Sequence, residues 1–265
     1  MSNRSARTFE LGSLANGWTV GRFGALAALS GIAHCVTTRQ GFDVLAARDN
    51  PASAAAQVAQ ALGLEGAAFC RQVHGAEVLV VDAPGLAGEA DGLVAGAAGL
   101  GLVGFSADCP IILAADPVRG AVGMAHASWR GTVARIARRL IEQMTGRFGT
   151  APRDVTACLC PSAGPCCYQV GGDVVQAALA GIGPHAGHFF LRRQGAVYFN
   201  LWKANTDELL AAGVRAGNLQ AADVCTICRN DLLPSYRKEG AGAGRFVAAI
   251  GLAVRAGRGW NRGSG

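Results

Sequence analysis

Three short segments of the chain place a side chain capable of metal binding or nucleophilic attack beside glycine or proline, where an apolar run begins or ends. They are residues 71–78 (RQVHGAEV), 106–110 (SADCP) and 124–132 (MAHASWRGT), and they offer His74, Cys109 and His126. Two imidazoles and a thiolate make a suitable donor set for Zn²⁺. With only three protein ligands the fourth position stays open for water or substrate, which is the catalytic rather than the structural arrangement. The same atoms also support a metal-free chemistry, in which Cys109 is a nucleophile activated by His126. Spacing alone does not choose between these uses and an inert one, because cysteine is among the most often buried residue types.

Side chains so distant in sequence can meet only if their strands lie together, since neighbouring strands present their ends at one edge. Short apolar runs bounded by Gly, Pro and Asp predict buried strands at residues 101–106, 111–115 and 121–125, with further strands at 77–82, 156–159 and 246–252. Alanine-rich residues 52–64 predict a helix, as do residues 173–179 and 204–210. In residues 131–148, Val133, Ile136, Leu140, Ile141 and Met144 fall on one stripe with arginines opposite, the pattern of an amphipathic helix. Strands and helices mix without strict alternation. The expected fold class is therefore α/β or α+β, one domain over residues 1–265, with mixed β-sheet and helices packed outside.

Composition narrows the chemistry. The chain has 265 residues, 51% hydrophobic and 16% charged, which excludes a disordered protein. Its nine cysteines are too dilute, and odd in number, for a small disulfide scaffold. A net charge of +6 invites a nucleic-acid reading, but the arginines are scattered and not interleaved with aromatics, so no nucleic-acid partner is expected. Arg4, Arg7, Glu10 and Arg22 leave no apolar core for a signal peptide. The longest apolar tract, residues 92–125, is broken by Asp108, Pro110, Asp116, Pro117 and Arg119 and does not read as a membrane helix. The expected location is the cytoplasm, with the cysteines as thiols or metal ligands. Five histidines without an H-x-H pair cannot build a blue copper site together with a trinuclear cluster. A multicopper oxidase mechanism is thereby excluded, although copper held adventitiously at the His₂Cys set would still permit slow oxidation.

The segments QVHGAEV, ADGLV (residues 90–94), SADCP, GMAHASWRGT, PSAGPCCYQVGGDV and SYRKEGAGAGRF occur in an order that resembles the YfiH family, also called laccase-domain or polyphenol-oxidase-like proteins. The match runs from about residue 39 to 252. The resemblance implies one α/β domain and a Zn²⁺ held by His74, Cys109 and His126. It also implies phosphorolysis of adenosine, inosine and methylthioadenosine with adenosine deamination, hence nucleoside and phosphate as partners. Arg39, Arg130, Tyr236 and Arg237 are the expected phosphate and substrate contacts, beside the amides that open the helix at Gly131. Deaminases of the H-x-E type place a glutamate beside the metal; none is so placed here, which leaves Asp108 and Glu77 as candidate proton carriers. Rival readings are an amide hydrolase acting on a cell-wall precursor through Cys109, a copper-dependent phenol oxidoreductase, and a non-catalytic binding module that keeps the metal for folding.

The chain departs from the family pattern at Ser128, where glycine is usual, at Cys160, Ala163 and Gln169, and at residues 37–41 (TTRQG), where the usual continuation is missing. Among the other cysteines, C-x-x-C at Cys225 and Cys228 resembles half of a zinc ribbon. Cys158, Cys160, Cys166 and Cys167 lack the paired spacing that would complete it. In the resembled family PCCY and the leading CT do not imply a second metal, so no second site is expected.

Overall fold

A computed structural model of the chain describes residues 9–254. Arg4 and Arg7, on which the expectation about a signal peptide partly rests, lie outside the described residues. The first half of the chain forms strands β1 (Phe9–Ser13), β2 (Thr19–Phe23), β3 (Ile32–Thr37), β4 (Gly66–Arg71), β5 (Val78–Val80), β6 (Gly85–Glu89), β7 (Gly92–Ala95), β8 (Leu100–Ser106), β9 (Ile111–Asp116) and β10 (Ala121–His126). Then come β11 (Thr156–Leu159), β12 (Gln169–Val170), β13 (Phe190–Arg193), β14 (Ala196–Phe199), β15 (Leu219–Ala221) and β16 (Phe246–Leu252). The helices are α1 (Gly24–Ala27), α2 (Val44–Asp49), α3 (Pro51–Ala61), α4 (Trp129–Val133), α5 (Ile136–Phe148), α6 (Gly172–Gly181), α7 (Leu201–Ala211) and α8 (Tyr236–Glu239).

Two large mixed sheets face each other. One has the order β1-β2-β3-β16-β8-β4-β6, the other β15-β11-β9-β10-β7-β5. Phe23, Leu102, Phe246 and Ile250 from the first interdigitate with Leu93, Ile111, Leu113 and Met124 from the second in one apolar core. The outer face of the first sheet is covered by α2 and α3 through Ala54, Val58 and Val103. The outer face of the second is covered by α5 and α7 through Ile136, Leu140, Met144 and Leu209. Four layers result, with helices outside, as the sequence pattern predicts. β8, β9, β10, β11 and β16 fall where apolar runs place them, because strands covered on both faces leave a continuous apolar signature. A third sheet, β12-β14-β13, packs on α6.

The long helix expected over residues 131–148 is two helices. Arg135 adopts φ 62°, a left-handed conformation that ends α4 and restarts the chain as α5. Its guanidinium donates to the Ile182 carbonyl at 2.7 Å, which ties the break to the end of α6. A strand that pattern alone extends over residues 77–82 shrinks to Val78–Val80. The hairpin of β1 and β2 is half-exposed and carries little apolar signal. Among the described residues no helix is long and apolar enough to cross a membrane.

Helix α5 sits so close to β10 that a Cβ at Gly123 would lie 2.9 Å from Leu140 Cδ1. Leu140 is fully buried in that contact. Leu140→Ala should lower stability by about 2–5 kcal/mol, read as a lower urea midpoint with unchanged slope.

Candidate metal centre

The chain passes from the first sheet to the second three times on the same edge; residues 90–91, between β6 and β7, carry Asp91, and the other two crossings carry ligands. Residues 72–77 link β4 to β5, and residues 107–110 link β8 to β9. His74 lies in the former, Cys109 in the latter, and His126 closes β10 beside both. The ligand atoms of these three residues all lie within 4.8 Å of one another. His74 is exposed, Cys109 half-buried and His126 buried, so the group forms a wall between core and solvent. The two imidazole rings stand edge to face, 5.1 Å between centroids.

A residue quoted within a motif but given no role holds this arrangement together. Asp91, fully buried just before β7, accepts from the backbone N–H groups of Val73 (3.2 Å), His74 (3.0 Å) and Gly75 (2.6 Å). Its Oδ1 also accepts from His126 Nδ1 at 2.8 Å. One carboxylate therefore fixes the loop that carries His74 and the ring of His126, and leaves His126 Nε2 as the free ligand atom. Such a partner orients a metal-binding imidazole and raises its basicity. Burial opposes ionisation of Asp91, but the His126 ring and the loop amides together hold its carboxyl below the usual range.

Strain marks the same place. His74 has φ 61° and Asp108 φ 100°, the second a backbone conformation that residues with a Cβ rarely adopt. Asp108 is held there by its own carboxylate, which accepts from Thr226 Oγ1 and from the Arg237 amide, both at 2.6 Å. Its carbonyl accepts from the Ala163 amide at 2.8 Å. The Asp108 carboxylate is thus committed to shaping the Cys109 turn. Glu77 is exposed and outside the residues lining the cleft. Ser128 caps α4 by accepting from the Gly131 amide at 3.1 Å, so the departure from glycine here supplies an N-cap. A Cβ on Gly131 would fall 2.7 Å from the Gly75 carbonyl, which explains glycine where α4 meets the His74 loop.

Electrostatics tune the thiol. Burial pushes Cys109 up, but His126 and His74, both within hydrogen-bond reach of its sulfur, outweigh it and leave a pKa of about 7. Burial pulls His126 down, yet Cys109 and Asp91 raise it to about 9. The metal-free site is therefore a thiolate–imidazolium pair near neutrality.

A cleft of about 540 Å³ opens over the three ligands. Arg48, Arg71, Arg237 and Arg245 contribute to its lining, as do Phe105, Tyr168 and Tyr236. Arg48 pairs with Asp49 and Arg71 with Glu89. Arg237 and Arg245 make no ion pair among the described residues. The Arg237 guanidinium donates to the Gln169 carbonyl (2.8 Å) and stacks on Tyr168 at 5.0 Å. Arg245 donates to the carbonyls of Ala243 and Gly244, and burial together with Arg48 draws its pKa below the ordinary guanidinium value. Tyr236 and Arg237, expected to contact substrate, line the cleft, whereas Arg39 and Arg130 are outside its lining. Arg39 is paired with Glu239 at 2.5 Å, and the exposed Arg130 stacks on Trp129 at 4.4 Å. Arg245, the penultimate residue of the segment SYRKEGAGAGRF, is a cleft cation that only its position beside the glycines marks in the sequence.

The remaining histidines lie elsewhere. His34 is buried, accepts the Phe23 amide at 2.9 Å, and is held neutral by burial and Arg22 with a pKa of about 4. His185 and His188 are exposed on the 3₁₀ turn Pro184–Phe189. Two imidazoles thus lie at the centre, and the other three histidines lie away from it.

Residues 37–253 match the family profile described as "Multi-copper polyphenol oxidoreductase laccase". The chain belongs to this laccase-domain (YfiH) family. Its relatives include a purine nucleoside phosphorylase of Deinococcus radiodurans, 39% identical over 77% of this chain and 78% of that one. The purine nucleoside phosphorylase YlmD of Geobacillus stearothermophilus is 34% identical over 72% of this chain and 74% of its own. The crystal structure of that YlmD superposes with a TM-score of 0.80, covering 94% of this chain and all of its own, at 30% identity. Adenosine deaminase RL5, from an unknown prokaryote, is 32% identical over 68% of this chain and 72% of its own.

Two outcomes test the site. Asp91→Asn should weaken zinc binding at the His74, Cys109 and His126 group about 10–100-fold, measured by competition with a chromophoric chelator. In metal-free protein, the thiolate of Cys109 forms as pH rises through about 7. Its alkylation by iodoacetamide, located by peptide mass mapping, should climb through that pH and level off well below the range of an ordinary thiol.

Proposed function

We propose that the protein phosphorolyses purine nucleosides at a zinc centre formed by His74, Cys109 and His126, with adenosine deamination as a second outcome in the same cleft. One observation carries this reading: a His₂Cys donor set with an open side lies at the floor of a cleft where the guanidinium groups of Arg237 and Arg245 make no ion pair among the described residues. The names of the relatives supply the nucleoside and the reaction class.

The donor set fits zinc: nitrogen and sulfur ligands, close enough to share one ion, with His126 oriented from behind by Asp91. Zinc, when bound, supplies a Lewis acid that polarises an oxygen or nitrogen of the substrate. The chain's own residues do the rest. Arg245 is packed near Arg48, and a phosphate between Arg245 and Arg237 relieves the repulsion among these cations while accepting charge-assisted hydrogen bonds. The exposed ring of Tyr236 and the ring of Phe105 give flat apolar surface for a purine. Burial, with Cys109 and Asp108 nearby, pushes the Tyr168 phenol up to about 12. Tyr168 therefore keeps its proton at neutral pH and presents an O–H donor to the bound substrate. In phosphorolysis the bond from the ribose C1′ to the purine nitrogen breaks and its electron pair leaves on the base. A phosphate oxygen then makes the new bond to C1′, and the base takes up a proton.

A second reading follows from the hydrogen-bonded series Asp91, His126, Cys109, which matches the order of a carboxylate, imidazole and thiol in nucleophilic hydrolases. It makes the protein an amide hydrolase with Cys109 as nucleophile.

Chromatography of adenosine and inosine incubations separates these outcomes. Free base that forms only when phosphate is present supports phosphorolysis; inosine from adenosine without phosphate supports deamination. Absence of any nucleoside turnover by zinc-loaded protein, or full turnover by Cys109→Ala, overturns the assignment. Arg245→Ala should raise KM for phosphate by about tenfold or more, the equivalent of roughly 1.4 kcal/mol, with a smaller change in KM for the nucleoside.

A further inference from the structure

The spacing of the remaining cysteines argues against a second metal, but the fold supplies the pairing that the sequence lacks. The sulfurs of Cys166, Cys167, Cys225 and Cys228 all lie within 4.8 Å of one another. Cys158 and Cys160, which the sequence pattern grouped with Cys166 and Cys167, are instead buried in the core between the sheets. Two loops bring the four together. Ser162 bridges to Cys225 as in a parallel sheet, with the Ser162 amide donating to the Val224 carbonyl at 3.1 Å and the Thr226 amide to the Ser162 carbonyl at 3.0 Å. Turns closed by the Cys167 amide on the Gly164 carbonyl (2.9 Å) and the Arg229 amide on the Cys225 carbonyl (2.8 Å) then point the thiols at one another.

We propose that Cys166, Cys167, Cys225 and Cys228 bind one zinc ion as a tetrathiolate site, distinct from the His74, Cys109 and His126 centre and structural in role. Four sulfurs around one tetrahedral ion with bonds of about 2.3 Å stand about 3.8 Å apart. Cys228 Sγ lies 3.7 Å from Cys166 Sγ and 3.4 Å from Cys167 Sγ. All four cysteines are free thiols, and one sulfur close to two others matches a shared ion better than a pairwise bond. The spread of the set fits a mononuclear ion, since all sulfurs fall within 4.8 Å. The backbone is arranged for negative sulfur: the Gly164 amide donates to Cys225 Sγ at 3.2 Å, and the nearby amides of Cys228 and Ile227 also favour its thiolate. Arg193 donates to the carbonyls of Pro165 and Cys166 at 2.7 and 3.1 Å, which places a cation beside the loop that a doubly negative zinc–thiolate centre would favour.

The site would clip together one loop that lines the cleft and one that supports it. One carries Tyr168, and the other carries Thr226, whose hydroxyl holds Asp108 beside Cys109. The proposal does not depend on which reaction the cleft performs.

The test uses the full chain with the first centre removed, H74A/C109A/H126A, purified without chelator. One equivalent of zinc per chain should remain by elemental analysis, and wild type should hold two. Cobalt substitution of the same variant should give intense thiolate-to-cobalt charge-transfer and tetrahedral d–d bands, which Cys228→Ser in that background abolishes together with the metal. Should the variant fail to fold, wild type answers: mercurial titration of its thiols should release two zinc ions, and its cobalt form should show charge-transfer intensity for about five thiolates. Less than a tenth of an equivalent of zinc and no cobalt bands in a folded variant overturn the proposal. So does a wild-type cobalt form whose charge-transfer intensity corresponds to a single thiolate, a disulfide among these cysteines in protein purified under reducing conditions, or iron in place of zinc.

Discussion

The buried carboxylate of Asp91 is the interaction on which the rest of the centre depends. A charge in the interior is stable only when its lone pairs are taken up, and Asp91 takes up three loop amides and one imidazole. Those partners are the parts of the molecule that must be held still. Without the carboxylate, the loop between β4 and β5 loses the bonds that keep His74 in a left-handed conformation. His126 loses the bond that selects which ring nitrogen faces Cys109. The acidity of Cys109 follows in turn, since it rests on the imidazoles beside it.

The layered fold turns this local arrangement into a site. Strands β4 and β8 are neighbours in one sheet, and β5 and β9 belong to the other, so two crossings on one edge bring His74 and Cys109 together. The tight contacts between α5 and β10 and between α4 and the His74 loop leave no room for a Cβ at Gly123 or Gly131, and they fix the direction in which β10 delivers His126. Further segments complete the cleft: residues 162–170 bring Tyr168, α8 brings Tyr236 and Arg237, and residues 224–229 support it through Thr226, which holds Asp108. The cysteine cluster lies where residues 162–170 and 224–229 meet, so a segment that lines the cleft and one that supports it are also those the second proposed zinc would join.

Much of the core was legible. Residues 246–252 and 156–159 are strands to the residue, because strands buried on both faces must be apolar throughout. The helix over residues 131–148 shows the limit of such reasoning. Its apolar stripe is real, and Ile136, Leu140, Ile141 and Met144 are buried, but periodicity does not register one left-handed residue whose side chain is held by a distant carbonyl. Arg39 and Arg130 show the same limit at the site. Guanidinium chemistry makes both plausible anion binders, and only the fold reveals that one is paired with Glu239 and the other lies on Trp129.

By itself the sequence determined the donor types: two imidazoles and one thiol in ordered motifs, too few histidines for a copper cluster, and enough apolar strand for a covered sheet. These are properties of residue identity and local pattern, which the linear chain carries in full. Only the tertiary structure decided which groups meet. Asp91 became the anchor because register sets it beside His126, Arg245 became a cleft cation because β16 begins just after it between β3 and β8, and Cys166 and Cys167 met Cys225 and Cys228 across about sixty residues of chain. Long-range contacts of that kind depend on how loops are closed by backbone hydrogen bonds, and those bonds are made identically by almost every residue type.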